Sequence, residues 1–182
     1  MNEFYVTLPV SGKPDKFEND LQEKIYSLLD ELNIEYKRVE NEPAVTMEDC
    51  KNIDKAFNEE TIKTIFLTNR QKTKFYLLAM PAQKPFITKD FGAALSIPRV
   101  SFADTELLME ILSTPHGAAT PLSIVNDKDN KVMLVIDKEI LEREKIVCTD
   151  GTLHGFICLS PREMLEKFIG SAGKHIPMIV SL

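Results

Sequence analysis

A chain of 182 residues, 43% hydrophobic and 27% charged, has the composition of a globular protein and the length for one well-buried domain rather than two. Its longest apolar runs, such as Val132–Ile136, are strand length and too short to span a membrane; its first residues lack the basic region and apolar core of a secretion signal, which points to the cytoplasm. The net charge of −6 argues against a general nucleic-acid binder, and three scattered cysteines with three scattered histidines fit a reducing compartment and give no metal-ligand spacing.

Residues 1–13 read as an N-terminal arm with a short strand at 3–9. Pro14 and Asp15 suit a first helical turn, and Phe17, Leu21, Ile25, Leu28, Leu29 and Leu32 recur at helical spacing, predicting an amphipathic helix over 14–33 closed by Asn33. A strand follows at 34–39. Thr46, with Glu48 and Asp49 after it, predicts a capped short helix near 47–55. Segments 61–68 and 74–80 read as a hairpin around the polar turn Asn69–Thr73. Alternation puts Lys63 on a face with Ile65 and Leu67. Either the lysine snorkels out from a strand end or it stands at the rim of a pocket.

A helix is predicted at 88–95, a strand at 99–102, and a second helix opening at Ala103-Asp104-Thr105-Glu106 with the stripe Leu107, Leu108, Ile111 and Leu112. The stretch 115–127 is too punctuated by Gly and Pro for a helix and too apolar for a mobile loop. Gly117 frees the backbone, Pro121 fixes it, and the residues between are small, so a ligand can approach the main chain. Read alone it is either an ordinary tight connection or a loop that presents backbone N–H groups to an oxyanion. Leu122–Val125 reads as a short buried strand. Strands at 131–137, 144–148, 153–159 and 176–182 follow, with a helical turn at 138–143 and a helix entered through Ser160-Pro161-Arg162-Glu163 that ends near Gly170. The fold class is α/β (α+β): a single domain over 1–182 with a mixed, largely antiparallel sheet and helices packed around it. No P-loop and no G-x-G-x-x-G is present. Residues 61–100 hold Lys63, Arg70, Lys72, Lys74, Lys84, Lys89 and Arg99 against Asp90 alone, a local charge of +6 in an acidic chain. Such a segment suits a polyanion bound at one place, or is a chance cluster of solvated lysines.

Four stretches taken together resemble the YbaK-type aminoacyl-tRNA deacylases, also called prolyl-tRNA synthetase-associated editing domains, and among them the free-standing clostridial PrdX-type members. Lys63-Thr64-Ile65-Phe66-Leu67 resembles a lysine-led strand that reads Lys-Asn-Leu-Phe-Leu in many relatives, and Phe75-Tyr76-Leu77-Leu78 its hairpin partner. Arg99-Val100-Ser101-Phe102-Ala103 resembles Arg-Leu-Ser-Phe-Ala, and Gly117-Ala118-Ala119-Thr120-Pro121, continuing to Asn126-Asp127, resembles a Gly-x-x-x-Pro loop. Order and spacing agree from about residue 15 onward.

The resemblance implies hydrolysis of the ester between a wrong amino acid and the 3′ end of tRNA(Pro), alanine most often, by a metal-free enzyme with no cofactor. It implies a catalytic group of Lys63 with the backbone of Gly117, Ala118 and Ala119, and a substrate-binding group of Thr64, Arg99, Ser101, Thr120, Pro121 and Cys148. The implied partners are the tRNA(Pro) acceptor end and prolyl-tRNA synthetase, with no DNA and no membrane. Two departures stand out. Thr64 replaces the asparagine, and Cys148, in Val147-Cys148-Thr149-Asp150, stands where relatives carry a histidine that shapes the amino-acid pocket. His154 and His116 are the candidates to replace it. A thiol nucleophile at Cys148 would need a histidine beside it, and a buried structural cysteine is the alternative. Two other functions stay open at this level: a non-catalytic tRNA- or synthetase-binding module, and a small aminoacyl-ester hydrolase.

Overall fold

Alternating apolar residues and tight turns give eight strands among the described residues, which in the computed structural model are 4–173 and 175–182. Residues 1–3, where the expected arm begins, lie outside them. The strands are β1 (Tyr36–Glu40), β2 (Ile62–Asn69), β3 (Phe75–Pro81), β4 (Val100–Phe102), β5 (Val132–Asp137), β6 (Ile146–Thr149), β7 (Gly155–Leu159) and β8 (Met178–Val180). They form a five-stranded sheet in the order β4-β2-β3-β5-β8 and a three-stranded sheet in the order β1-β7-β6. The three-stranded sheet is antiparallel; in the larger one β2 pairs antiparallel with β3 and β4, whereas β3–β5 and β5–β8 are parallel. The expected mixed sheet is therefore present but divided in two, and the halves meet where Thr61 bridges Val147 in parallel.

The helices are α1 (Asp20–Glu31), α2 (Met47–Phe57), α3 (Thr88–Leu95), α4 (Thr105–Leu112), α5 (Lys138–Leu141) and α6 (Pro161–Glu163), the last running on as a π-helical turn over Met164–Ile169. Both faces of the β2–β3 hairpin are buried. Ile62, Phe66, Leu77 and Ala79 join the main core with α1, α4 and the π turn, while Leu67, Tyr76, Leu78 and Met80 pack under Phe91 of α3. Two-sided burial is why β3 reads as a nearly continuous apolar run. A third cluster, Val39, Ile53, Val147 and Phe156, seats α2 on the smaller sheet.

Three expected elements differ. Among residues 4–9 no strand forms, and the N-terminal stretch touches the β1 region only through isolated bridges of Val6 with Asn41 and Val10 with Arg38. The first helix begins at Asp20 rather than residue 14, because the Asn19 side chain accepts from the Gln22 N–H and caps it there. Leu122–Val125 is not a strand. Pro121–Asn126 forms a 3-10 helix with Pro121 at its first position and Thr120 as its cap. A short apolar run cannot distinguish the two, and the preceding Thr-Pro pair decides for the helix.

The turn between β6 and β7 is tied to α1 through Asp150. Its carboxylate, 1% exposed, accepts from Gln22 Nε2 at 2.8 Å, Tyr26 OH at 2.9 Å, Thr152 Oγ1 at 2.8 Å and Thr152 N at 3.2 Å. Burial raises its pKa, and these donors work the other way by stabilising the charged form. Gly155 stands directly against this carboxylate, and a Cβ built on it would collide with it.

Candidate active site

β4 pairs with β2 only over Leu67–Asn69, so the first half of β2 has a free edge. The Asn69 N–H donates to Lys74 O across the hairpin, and alternation from that pair turns the N–H and C=O of Thr64 away from β3. Phe66 O, also on that side, accepts from Ala103 N at 2.9 Å. Thr64 backbone groups have no protein partner among the described residues. A recess of about 410 Å³ opens along this edge. Its walls are the N-terminal end of α2 with Ala44 and Val45 before it, the junction Phe102–Leu108 between β4 and α4, the loop residues His116, Gly117 and Ala119, Thr149 of β6 and Phe156 of β7.

Each wall is fixed locally. Thr46 and Asp49 form a reciprocal cap on α2: the Thr46 hydroxyl accepts from Asp49 N at 3.2 Å, and the Asp49 carboxylate accepts from Thr46 N at 2.8 Å. The Thr46 donors hold the Asp49 carboxyl below its ordinary range. Asp54 near the other end of α2 accepts from Thr61 N at 2.6 Å and Thr61 Oγ1 at 2.5 Å, clamping the helix to the start of β2. The loop after α4 is pinned by buried polar contacts. Thr114 Oγ1 donates to Ser123 Oγ at 2.9 Å, Asn126 Nδ2 donates to Leu112 O at 3.0 Å, and Thr149 Oγ1 donates to Ala118 O at 2.8 Å.

Lys63 is the one lysine or arginine in the described lining of the recess. Its Nζ donates to Lys84 O and has no carboxylate partner among the described residues. Partial burial without a counter-charge lowers its pKa. Lys84 is held in turn by Asp137 at 2.8 Å and Glu139 at 2.5 Å. Across the recess, the loop backbone divides its donors. Ala118 N donates to Pro115 O at 3.1 Å and is spent, whereas the N–H groups of Gly117 and Ala119 have no protein acceptor among the described residues. Gly117 takes φ +82°, a left-handed conformation that glycine adopts without strain.

The residues singled out in the sequence thus separate into three groups. Lys63, Thr64, Gly117 and Ala119 come together on the recess. Ala118, Thr120 and Pro121 are buried in the loop behind it and shape its course. Arg99 and Ser101 do not reach the recess. Arg99 lies with Thr88, Lys89 and Ser96 in a separate hollow beside α3, and Ser101 is exposed opposite Thr68.

Cys148 is also away from the recess. Its side chain points with Ile146 into the main core, and the side chain that β6 presents to the recess is Thr149. Burial pushes the Cys148 thiol up to about 12. Iodoacetamide therefore leaves Cys148 unmodified in the native protein and alkylates it only after denaturation, as peptide mass mapping will read. The thiolate fraction at pH 8 is only about one in ten thousand, on top of the steric barrier. Of the two candidate histidines, His116 lines the recess, whereas His154 pairs with Glu18 at 2.9 Å in a different hollow. Thr149 was not singled out in the sequence, because which β6 side chain faces the loop depends on the pairing register of the smaller sheet.

Lys63 and two residues with unspent backbone N–H donors, on the lining of one recess, are suited to holding a carbonyl or phosphate oxygen. Comparison with known proteins agrees with this chemistry. Residues 41–167 match the aminoacyl-tRNA editing domain. The Prolyl-tRNA editing protein ProX of Acetoanaerobium sticklandii is 27% identical over 160 residues, covering 88% of this chain and 97% of that protein. Prolyl-tRNA synthetase associated domain-containing protein 1 of Danio rerio is 26% identical over 164 residues, covering 89% and 88%. A solved structure provisionally described as a trans-editing enzyme for prolyl tRNA synthetase superposes with a TM-score of 0.65 over 91% of this chain and 99% of that one, at 14% identity, and so shares the fold. The chain belongs to the aminoacyl-tRNA editing domain family.

Proposed function

We propose that this aminoacyl-tRNA deacylase acts in trans on mischarged tRNA(Pro), with alanine as the preferred wrong amino acid, and that residues 1–182 work as one editing domain in the cytoplasm. The family match supports the reaction type, and the similarity to ProX and to the prolyl-tRNA synthetase associated domain proteins favours the proline system. Prolyl-tRNA synthetase is the protein partner that this similarity suggests, and neither DNA nor a membrane enters the reading. Among the described residues no helix is long and apolar enough to cross a membrane.

The observation that carries the mechanism is Lys63 on one wall and the free Gly117 and Ala119 N–H groups on another, sharing one recess. In the proposed reaction the loop donors hold the ester carbonyl oxygen as it becomes an oxyanion, and the Lys63 ammonium binds substrate oxygen or the terminal phosphate. Water adds to the carbonyl carbon, the bond to the ribose oxygen breaks, and that oxygen takes up the proton lost by the water to become a hydroxyl as the free amino acid leaves. An aminoacyl ester is already labile, so positioning and oxyanion stabilisation suffice without a covalent intermediate.

Incubation with Ala-, Cys- and Ser-tRNA(Pro) tests the reading. All three are expected to be held, with Ala-tRNA(Pro) deacylated fastest. Binding of all three with no release above the uncatalysed rate would instead make the chain a non-catalytic binding module. Equal cleavage of simple aminoacyl esters, with little dependence on salt, would make it a small-ester hydrolase.

A further inference from the structure

The mouth of the recess carries an aromatic ring that the hydrolysis itself does not use. Phe102 closes β4 and is 64% exposed. Two other exposed apolar side chains, Val45 and Met47, stand on the lining of the same recess. Water-facing apolar groups gathered around one opening mark a binding surface rather than scattered exposure.

The ring is also held in place. Phe102 pairs with Leu67 across β4–β2, which puts its side chain on the sheet face of Lys63, Ile65 and Leu67. Phe86 packs edge-on against it, with centroids 5.8 Å apart and planes at 75°. Phe86 packs in the same manner on Phe91, which is fully buried, at 5.9 Å and 67°. A chain of rings thus runs from the core to the surface, fixing Phe102 while leaving most of it open. Lys63 lies on the same sheet face and on the recess lining with no carboxylate partner among the described residues, so a phosphate arriving beside Phe102 meets a positive charge there.

We propose that Phe102 is a stacking platform for the terminal nucleobase of the tRNA, setting the 3′ aminoacyl ester over the Gly117–Ala119 loop. The inference rests on the deacylase reading. An aromatic face binds any base through its π surface, and the backbone charge supplies the remaining attraction. The ring acts as a positioning residue, felt in KM more than in kcat.

The chain has no tryptophan, so Phe102→Trp places its one indole, which can be excited apart from the four tyrosines, at the mouth of the recess. Adenosine 5′-monophosphate is expected to quench it, and ribose 5-phosphate and alanine to leave it unchanged. With Ala-tRNA(Pro), Phe102→Ala is expected to raise KM on the order of tenfold or more, and Phe102→Trp, which retains a stacking face, to recover it. Quenching by alanine, or equally by ribose 5-phosphate, overturns the proposal, as does a Phe102→Ala enzyme with the wild-type KM or with a loss confined to kcat. A wild-type protein that deacylates nothing while Phe102→Trp is still quenched by the nucleotide overturns the deacylase reading and leaves the base platform standing.

Discussion

Replacing Lys63 with alanine lowers deacylation of mischarged tRNA by about two to three powers of ten, the scale expected for loss of one preorganised charged donor to a substrate oxygen. The fold survives, because the side chain is only half-buried and its bond to Lys84 O is the one hydrogen bond it makes among the described residues. Thermal unfolding of Lys63→Ala alongside single-turnover deacylation separates the two effects; full activity would remove this lysine from the mechanism. The ionisation of Lys63 adds a pH signature. Burial stabilises the neutral amine relative to the ammonium, so the proton leaves at a lower pH than from a free lysine. Enzyme-dependent deacylation therefore falls on the alkaline side earlier than a free lysine would dictate. Lys63→Arg, weaker through altered geometry, keeps its charge and lacks that alkaline fall.

Gly155→Ala carries the largest expected effect on stability, about 3 kcal/mol. The new methyl group occupies the space of the Asp150 carboxylate. Displacing that carboxylate leaves the buried Gln22, Tyr26 and Thr152 donors without an acceptor and loosens α1 from the β6–β7 turn. A denaturant titration reads this as a lowered midpoint with an unchanged slope. Asp150→Ala in the same background removes the collision, so the double variant loses less than the sum of the two single variants. Additive losses would show that Gly155 acts through its backbone and not through the space it leaves.

Local signals account for much of the chain. The helix at 88–95 and the capped helix after Thr46 follow from periodicity and from hydroxyl-acid pairs acting over three residues, and both appear as expected. The 3-10 helix at Pro121–Asn126 was hidden, since its apolar run fits a buried strand equally well and only the Thr120 cap tips the balance. The site divides the same way. Lys63, Thr64, Gly117 and Ala119 lie on two segments whose ends are fixed by turns, and they converge on one recess. Cys148 and Thr149 are adjacent, and only cross-strand pairing decides which of them faces the loop. Arg99 and Ser101 sit close to Phe102 in sequence, yet Arg99 precedes the three-residue edge strand in a separate hollow beside α3 and Ser101 points out from that strand to solvent. The exposure of Phe102 has the same origin and leaves no mark in the residue pattern.

The unfinished edge of β2 bears on how the site responds to change. Where β4 stops, the amide and carbonyl of Thr64 face the recess, as do the Gly117 and Ala119 amides across from them. None of these groups belongs to a side chain. Truncating Thr64 or Ala119 leaves the local hydrogen-bonding capacity in place, so a scan of single substitutions will find Lys63, Phe102 and Gly117, the last through its left-handed backbone, and pass over Thr64 and Ala119. The same property lets side chains around the recess drift in composition while its polar framework persists. Backbone replacement at these peptide bonds, ester for amide, is the perturbation to which this part of the protein is sensitive.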